Sequence, residues 1–256
     1  MDISINITRD PAVPGSGPVT VGWFLSQDKG AVMYGPPERL RFRDTNRSHA
    51  KSAARCPAVV QMESRFFVVR CPFDLNIGFG RDDKGRAHLI SRAGAAGAVR
   101  SNKLGQIITL VNEAEWRFPD RPTIQLSLPY CFVAEETCYL TQLDAFAHYR
   151  PVPLPGTIFG GRFPVHAWVR PLMWAFEWHD TSRDLCLKRG DPLFYLQFEA
   201  DGPDRPISLI EVERTPEIDQ WMDRMSGVVN YVNQTFSLFR AAQEARPENL
   251  LKPRTR

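Results

Sequence analysis

The side chains best suited to chemistry lie within residues 166–184. Glu177 and His179 are two positions apart, so in an extended strand both project from the same face. A carboxylate and an imidazole placed this way can bind a divalent metal, with His166 or His148 completing the ligand set. The same pair can act as a general base and its orienting group. The metal hypothesis uses His166, Glu177 and His179.

The catalytic hypothesis extends this cluster, with Glu177, His179, Asp180 and Arg183 as its candidates. A second interpretation requires no catalysis. A partly buried histidine is more often satisfied by a neighbouring carboxylate than bound to a metal. Residues 180–182 also have a composition typical of a turn at the end of a strand. Both interpretations stay open at this point.

Aromatic residues alternate through the same segment, at Trp174, Phe176 and Trp178. The three tryptophans of the region, Trp168, Trp174 and Trp178, could form a stacking platform for a base or a sugar. Alternation of large apolar side chains is, however, typical of the buried face of a strand. The pattern therefore favours core packing over a binding platform.

Basic residues are concentrated in one part of the N-terminal half, where they could contact phosphates. Glu38 and Asp44 reduce the local positive charge, and Phe42 is the only aromatic residue among the cations. A solvated edge strand and loop is the favoured interpretation, and a nucleic-acid partner is disfavoured. The cations are Arg39, Arg41, Arg43, Arg47, Lys51 and Arg55.

Composition excludes several classes of protein. The 256 residues are 43% hydrophobic and 24% charged, which is enough apolar material for a globular core. The net charge of +3 does not by itself predict a polyanionic partner. Five cysteines without a CxxC pair argue against a disulfide framework or a zinc ribbon. Residues 1–10 do not resemble a signal peptide, and no apolar run is long enough to span a membrane, so the sequence predicts a cytoplasmic protein.

Hydrophobicity with a period of two predicts a mainly β domain over residues 1–214. Val19, Val21 and Trp23 illustrate the pattern, and prolines separate many of the short apolar segments. A glycine-rich loop is expected over 91–105. The predicted strands are 3–7, 19–25, 40–42, 66–71, 75–79, 106–111, 123–128, 131–140, 163–169, 172–178, 185–188, 193–199 and 207–212.

One amphipathic helix is predicted over 215–245, packed on the same domain. Thr215 can cap it, Pro216 suits the first helical position, and apolar residues then recur every three or four positions. Residues 246–256 form a basic tail that is expected to be frayed.

The stretch 155–199 resembles the C-terminal half of the dUTPase and dCTP-deaminase superfamily. Gly156 stands at the position of the hairpin glycine of that family, and residues 188–192 (KRGDP) match its turn. The resemblance implies a β-clip architecture. Phe159 lies where that family carries the aspartate that activates water, so the resemblance implies a shared fold without the catalytic group.

The layout of the whole chain also resembles an uncharacterised family of bacterial and phage-associated β-rich proteins. The matching features are Cys56-Pro57 before a strand, Pro72-Phe73 after it, and a late glycine-proline turn. With the first resemblance, this predicts a β-sandwich or β-clip-like domain with one C-terminal helix.

Three functions are consistent with these features. The favoured one is a non-catalytic binding or assembly module, as a homo-oligomer or with a protein partner. The second is a metal-dependent enzyme that uses the His/Glu site at 166–180 with a divalent metal. The third is a degenerate nucleotide-binding relative of the dUTPase fold.

Overall fold

The computed structural model of the chain describes residues 17–28, 30–44, 46, 49, 51–92, 99, 103–202, 205–226 and 235–255. Its strands are β1 (Val19–Leu25), β2 (Glu38–Arg39), β3 (Phe66–Arg70), β4 (Leu75–Arg81), β5 (Ala87–Ser91), β6 (Ile108–Leu110), β7 (Thr123–Ser127), β8 (Tyr130–Ala134), β9 (Cys138–Leu143), β10 (Gly156–Phe159), β11 (Arg162–Pro164), β12 (Met173–Trp178), β13 (Leu185–Leu187), β14 (Pro192–Ala200) and β15 (Ile207–Glu211). The prediction of a mainly β fold is confirmed.

Helices are few and short. They are α1 (Pro57–Arg65), α2 (Leu104–Ile107), α3 (Pro216–Met225) and α4 (Thr235–Glu244). The sequence analysis missed α1, although Pro57 at its first position is a typical start signal. Helix α1 lies against β3 and β14.

The strands form four sheets. Their orders are β15-β1-β8, β10-β12-β7-β6, β11-β9-β14-β3-β2 and β13-β4-β5. All neighbours pair antiparallel except β1 and β15, which run parallel. The region predicted as one strand over 131–140 is two strands, β8 and β9. The edge strand predicted at 40–42 is wrong in position: the edge strand here is β2, which ends at Arg39, and residues 40–42 are irregular.

One hydrophobic core joins all four sheets. Each sheet supplies buried apolar side chains to it, for example Val21, Ile124, Phe194 and Ile77. Strand β12 contributes three large rings to it, Trp174, Phe176 and Trp178, all fully buried. This burial confirms that Trp174, Phe176 and Trp178 are core residues and not a stacking platform.

The predicted C-terminal helical segment is confirmed, and its described residues form two helices. Helix α3 ends at Met225 because Ser226 takes an extended conformation, and α4 begins at Thr235. Thr215 caps α3 as expected, by accepting a hydrogen bond from the amide of Ile218. The indole nitrogen of Trp221 donates to the carbonyl of Ala242 at 2.9 Å, which joins the two helices.

The basic tail is docked, contrary to the expectation that it would fray. Leu250 is fully buried, and its amide donates to a carboxylate oxygen of Glu135. Val212 forms a β-bridge with Pro253, and the Arg254 amide donates to the carbonyl of Glu211. The tail therefore extends the edge of the sheet at β15. Its charges do not prevent docking because they lie on the outer side, where pairs such as Arg254–Glu211 form.

Several predictions fall on residues outside the described part of the chain, in whole or in part, among them Arg47 of the basic segment. Others are the strand at 3–7, most of the loop at 91–105, and residues 227–234 of the C-terminal segment. Among the helices that are described, none combines the length and apolar character needed to cross a membrane.

Candidate functional site

Glu177 and His179 lie at the end of β12 and project together, as the spacing predicts. Strand β12 is held between β10 and β7, so Glu177 sits opposite Thr157 and its side chain is only 4% exposed. His179 Nε2 donates to Glu177 Oε1 at 2.9 Å and lies 3.3 Å from the Thr157 hydroxyl. The predicted carboxylate–imidazole pair is therefore confirmed.

One more cation approaches this pair. Arg121 places a guanidinium nitrogen 3.8 Å from Glu177 Oε1, while its guanidinium carbon lies 4.4 Å from the centre of the Phe118 ring. Glu177 Oε2 is buried and has no hydrogen-bond partner among the described residues. The arrangement neutralises a buried carboxylate from one side, which is the usual solution for a charge in a protein interior.

The geometry does not match a nucleophilic relay. In such a relay the carboxylate and the nucleophile bind opposite nitrogens of the imidazole ring. Here Glu177 and the Thr157 hydroxyl both approach the same nitrogen of His179. Thr157 therefore cannot transfer its proton through His179 in that way.

The metal set His166, Glu177 and His179 is not assembled. His166 Nδ1 lies 2.9 Å from the carbonyl oxygen and 3.2 Å from the amide nitrogen of Cys138, and its ring packs edge-on against Tyr139. No group of three or more His, Cys, Asp or Glu side chains in the described part of the chain could hold a metal ion. The prediction failed because β11, next to His166, and β12 lie in different sheets, which their closeness in sequence does not reveal.

We expect the purified protein to contain no stoichiometric divalent metal, because only two of the three proposed ligands come together. Elemental analysis of the protein, and its melting temperature before and after dialysis against EDTA, measure this directly. The matched variants are His179→Ala and His166→Ala. A full equivalent of zinc that is lost in both variants would contradict the expectation.

Asp180 and Arg183 have structural roles. The Asp180 carboxylate accepts a hydrogen bond from the amide of Ser182, which confirms the turn interpretation. Arg183 donates to the carbonyl of Pro153 at 2.7 Å and so holds the loop that precedes β10. Neither side chain forms a hydrogen bond or an ion pair with the Glu177–His179 pair.

The buried cysteines are poor nucleophiles. Burial raises the pKa of Cys71 to about 11 and the pKa values of Cys131 and Cys138 to about 12. These thiols stay protonated at neutral pH, and the thiolate is the reactive form. All three are buried structural residues.

A basic concave surface lies elsewhere, where the segment 38–42 meets the loop at 147–155 and the start of β14. Two adjoining cavities of about 550 and 510 Å³ share His148 and Pro192. We call them together the basic groove. Each has the size of a small-molecule site.

The walls of the basic groove are positively charged. Six cationic side chains line it, against three carboxylates. Two of the carboxylates, Glu38 and Asp184, are already paired with Arg70 and Arg92. The cations are Arg39, Arg41, Arg70, Arg150, Arg183 and Lys188.

Backbone carbonyls hold the cations of the groove in place. Arg39 donates to the carbonyls of Glu63 and Ser64 at 3.0 and 2.9 Å and also to that of Ile207. Arg150 donates to the carbonyl of Pro192 at 2.7 Å. Because carbonyls carry no net charge, these contacts orient the guanidinium groups without neutralising them. Arg150 is in addition partly neutralised by Asp144, whose carboxylate lies 3.9 Å away.

Glu63 of α1 fixes the wall next to Arg39. Its Oε1 accepts hydrogen bonds from the amides of Phe42 and Arg43, and its Oε2 accepts one from the Arg43 side chain, all at 2.6 Å. Burial alone raises the pKa of Glu63, but these hydrogen bonds outweigh it and hold the pKa below its ordinary value. The irregular segment after β2 is therefore anchored by one carboxylate.

Aromatic side chains stand exposed around the groove. Tyr149 is 83% exposed, Phe146 59% and Phe42 52%. Phe146 packs edge-on against Tyr195 and Phe66, with ring centres 5.2 and 6.1 Å apart. This surface has no signature in the sequence, because the segment 146–152 shows no periodic pattern that relates it to residues 38–42.

Comparison with known proteins gives no relative for this chain. No family model, no curated protein and no solved structure matches it.

Proposed function

We propose that this chain is a non-catalytic binding module and that the basic groove binds an anionic ligand. The observation that carries the proposal is the excess of cations in two adjoining cavities of ligand size. Opposite charge concentrated in a concave surface raises both the local concentration and the affinity of an anion. The groove is preformed, since backbone carbonyls and Glu63 already fix its walls.

Binding accounts for the structure better than a metal-dependent reaction. The His/Glu pair lies outside both cavities, and its third proposed ligand is engaged elsewhere. The reduced state expected of the five thiols agrees with a cytoplasmic location, which forms part of the proposal. Assembly into a homo-oligomer or with a protein partner is compatible with a ligand site on one face.

A simple anion tests this proposal. We expect inorganic tripolyphosphate to bind saturably at low salt, and the double variant Arg41→Ala/Lys188→Ala to bind it about tenfold more weakly, since each removed charge is worth a few tenths of a kcal/mol to about 1 kcal/mol. Affinity should also fall with added salt. Isothermal titration calorimetry measures both effects.

The control variant is Arg86→Ala/Lys84→Ala. It removes two exposed cations from the turn between β4 and β5, so the net charge changes equally while the groove is untouched. Equal weakening in both double variants would show that only the overall charge matters. That result, or the absence of saturable binding to the wild type, would refute the proposal.

A further inference from the structure

The basic groove presents rings as well as charges. Phe42 and Tyr149 line its two cavities, and Phe146 stands beside them. A tyrosine that is 83% exposed gains nothing from the core, and clustered exposed apolar side chains mark interaction sites. A ligand that carries only negative charge would leave these rings unused.

The segments that carry the rings are anchored, and one ring, that of Phe146, is itself packed. Phe42 lies in the segment that Glu63 anchors through two backbone amides, and Phe146 is fixed against the buried ring of Tyr195. The neighbouring Arg150, next to Tyr149, is tied to the carbonyl of Pro192. A fixed ring loses little conformational freedom when another ring stacks on it.

Rings and cations alternate in both segments of the groove. Arg41 and Arg43 flank Phe42 in the first segment, and Tyr149 is followed by Arg150 in the second. Alternating flat rings and phosphate-binding cations is the pattern that recognises single-stranded nucleic acid, in which bases and phosphates alternate. A duplex hides the faces of its bases and would satisfy the cations alone.

We infer that the ligand of the basic groove is a single-stranded nucleic acid, with phosphates on the arginine walls and bases stacked on Tyr149 and Phe42. This inference rests on the proposed function, since it requires the groove to be the anion site. Two adjoining cavities suit a strand better than one free nucleotide. Phe42 is the one aromatic ring among the cations of residues 38–55, which in the sequence disfavours a nucleic-acid partner, whereas the fold adds Phe146 and Tyr149 from a distant segment.

The test compares four probes on the wild-type protein: a labelled single-stranded oligonucleotide, the corresponding duplex, a mononucleotide and tripolyphosphate. Fluorescence anisotropy for the nucleic acids and calorimetry for the small anions give the affinities. We expect the single strand to bind at least tenfold more tightly than each of the other three.

The variant Tyr149→Ala separates stacking from charge. We expect it to weaken binding of the single strand about tenfold and to leave tripolyphosphate binding unchanged, because it removes a ring and no charge. Phe159→Ala is the control, since Phe159 is also exposed but lies on β10 outside the groove. The melting temperature of each variant confirms that it is folded.

The outcomes distinguish the two claims. If the duplex, the mononucleotide or tripolyphosphate binds as tightly as the single strand, or if Tyr149→Ala has no effect on the strand, the inference is wrong. Anion binding by the groove still stands in those cases. If none of the four probes binds, both the inference and the proposed function are wrong.

Discussion

Alanine at position 156 is expected to destabilise the protein by about 3 kcal/mol or more, since overpacking that displaces backbone exceeds the usual range for a core substitution. A Cβ atom on Gly156 would lie 2.0 Å from the carbonyl oxygen of Glu177 and 2.8 Å from the Phe176 ring. The oxygen belongs to the paired backbone of β12, so it cannot move aside as a flexible side chain would. The pairing of β10 with β12 would have to open.

Urea denaturation followed by tryptophan fluorescence measures this change. Gly105→Ala is the control, because no atom lies within 4 Å of a Cβ at that helical position. We expect the control to match the wild type or to exceed its stability slightly, since alanine favours helix. If the free energy of unfolding of Gly156→Ala lies within about 1 kcal/mol of the wild-type value, β10 can shift freely and the expectation is wrong.

The substitution Glu63→Gln is expected to lower the free energy of unfolding by about 2–4 kcal/mol at neutral pH. This is the range for breaking a largely buried charged pair. The side chain is only 10% exposed and accepts three hydrogen bonds. Glutamine keeps one acceptor oxygen, and its amide group would face a donor. The control Glu38→Gln breaks an exposed ion pair with Arg70 and should cost less than about 1 kcal/mol.

The ion pair between Glu63 and Arg43 also predicts how the stability of the protein depends on pH. The folded-state pKa of Glu63 lies below its unfolded value, so its stabilisation is complete above the unfolded pKa of about 4.3 and is lost as the pH falls through the folded pKa. The difference in unfolding free energy between wild type and Glu63→Gln should therefore shrink below pH 4. A difference that stays constant from pH 7 to pH 3 would contradict the assigned role.

Local patterns in the sequence predict much of the fold. Alternation of apolar and polar residues follows directly from the geometry of a strand with one buried face, so β1, β7, β12 and β14 appear near their predicted positions. The same rule places Glu177 and His179 on one face. These successes depend only on neighbours two positions apart.

Features that depend on distant partners could not be predicted in this way. The basic groove joins Arg41 to Tyr149, and no local pattern relates the two segments. The docking of the tail depends on a β-bridge between Val212 and Pro253, and the basic composition of the tail gives no indication of this bridge. His166 was assigned to the wrong cluster because nearness in sequence does not give the distance between sheets.

The parallel pairing of β1 with β15 has a consequence for biosynthesis. Val19 pairs with Ile207 and Trp23 with Glu211, so β1 leaves the ribosome long before its parallel partner has been translated. Until then one side of β1 offers unpaired backbone groups, and its valines, fully buried in the finished fold, lack part of their cover. A nascent chain that stalls before β15 therefore displays an open, apolar strand edge. Whether such a chain aggregates depends on chaperones and on the speed of translation.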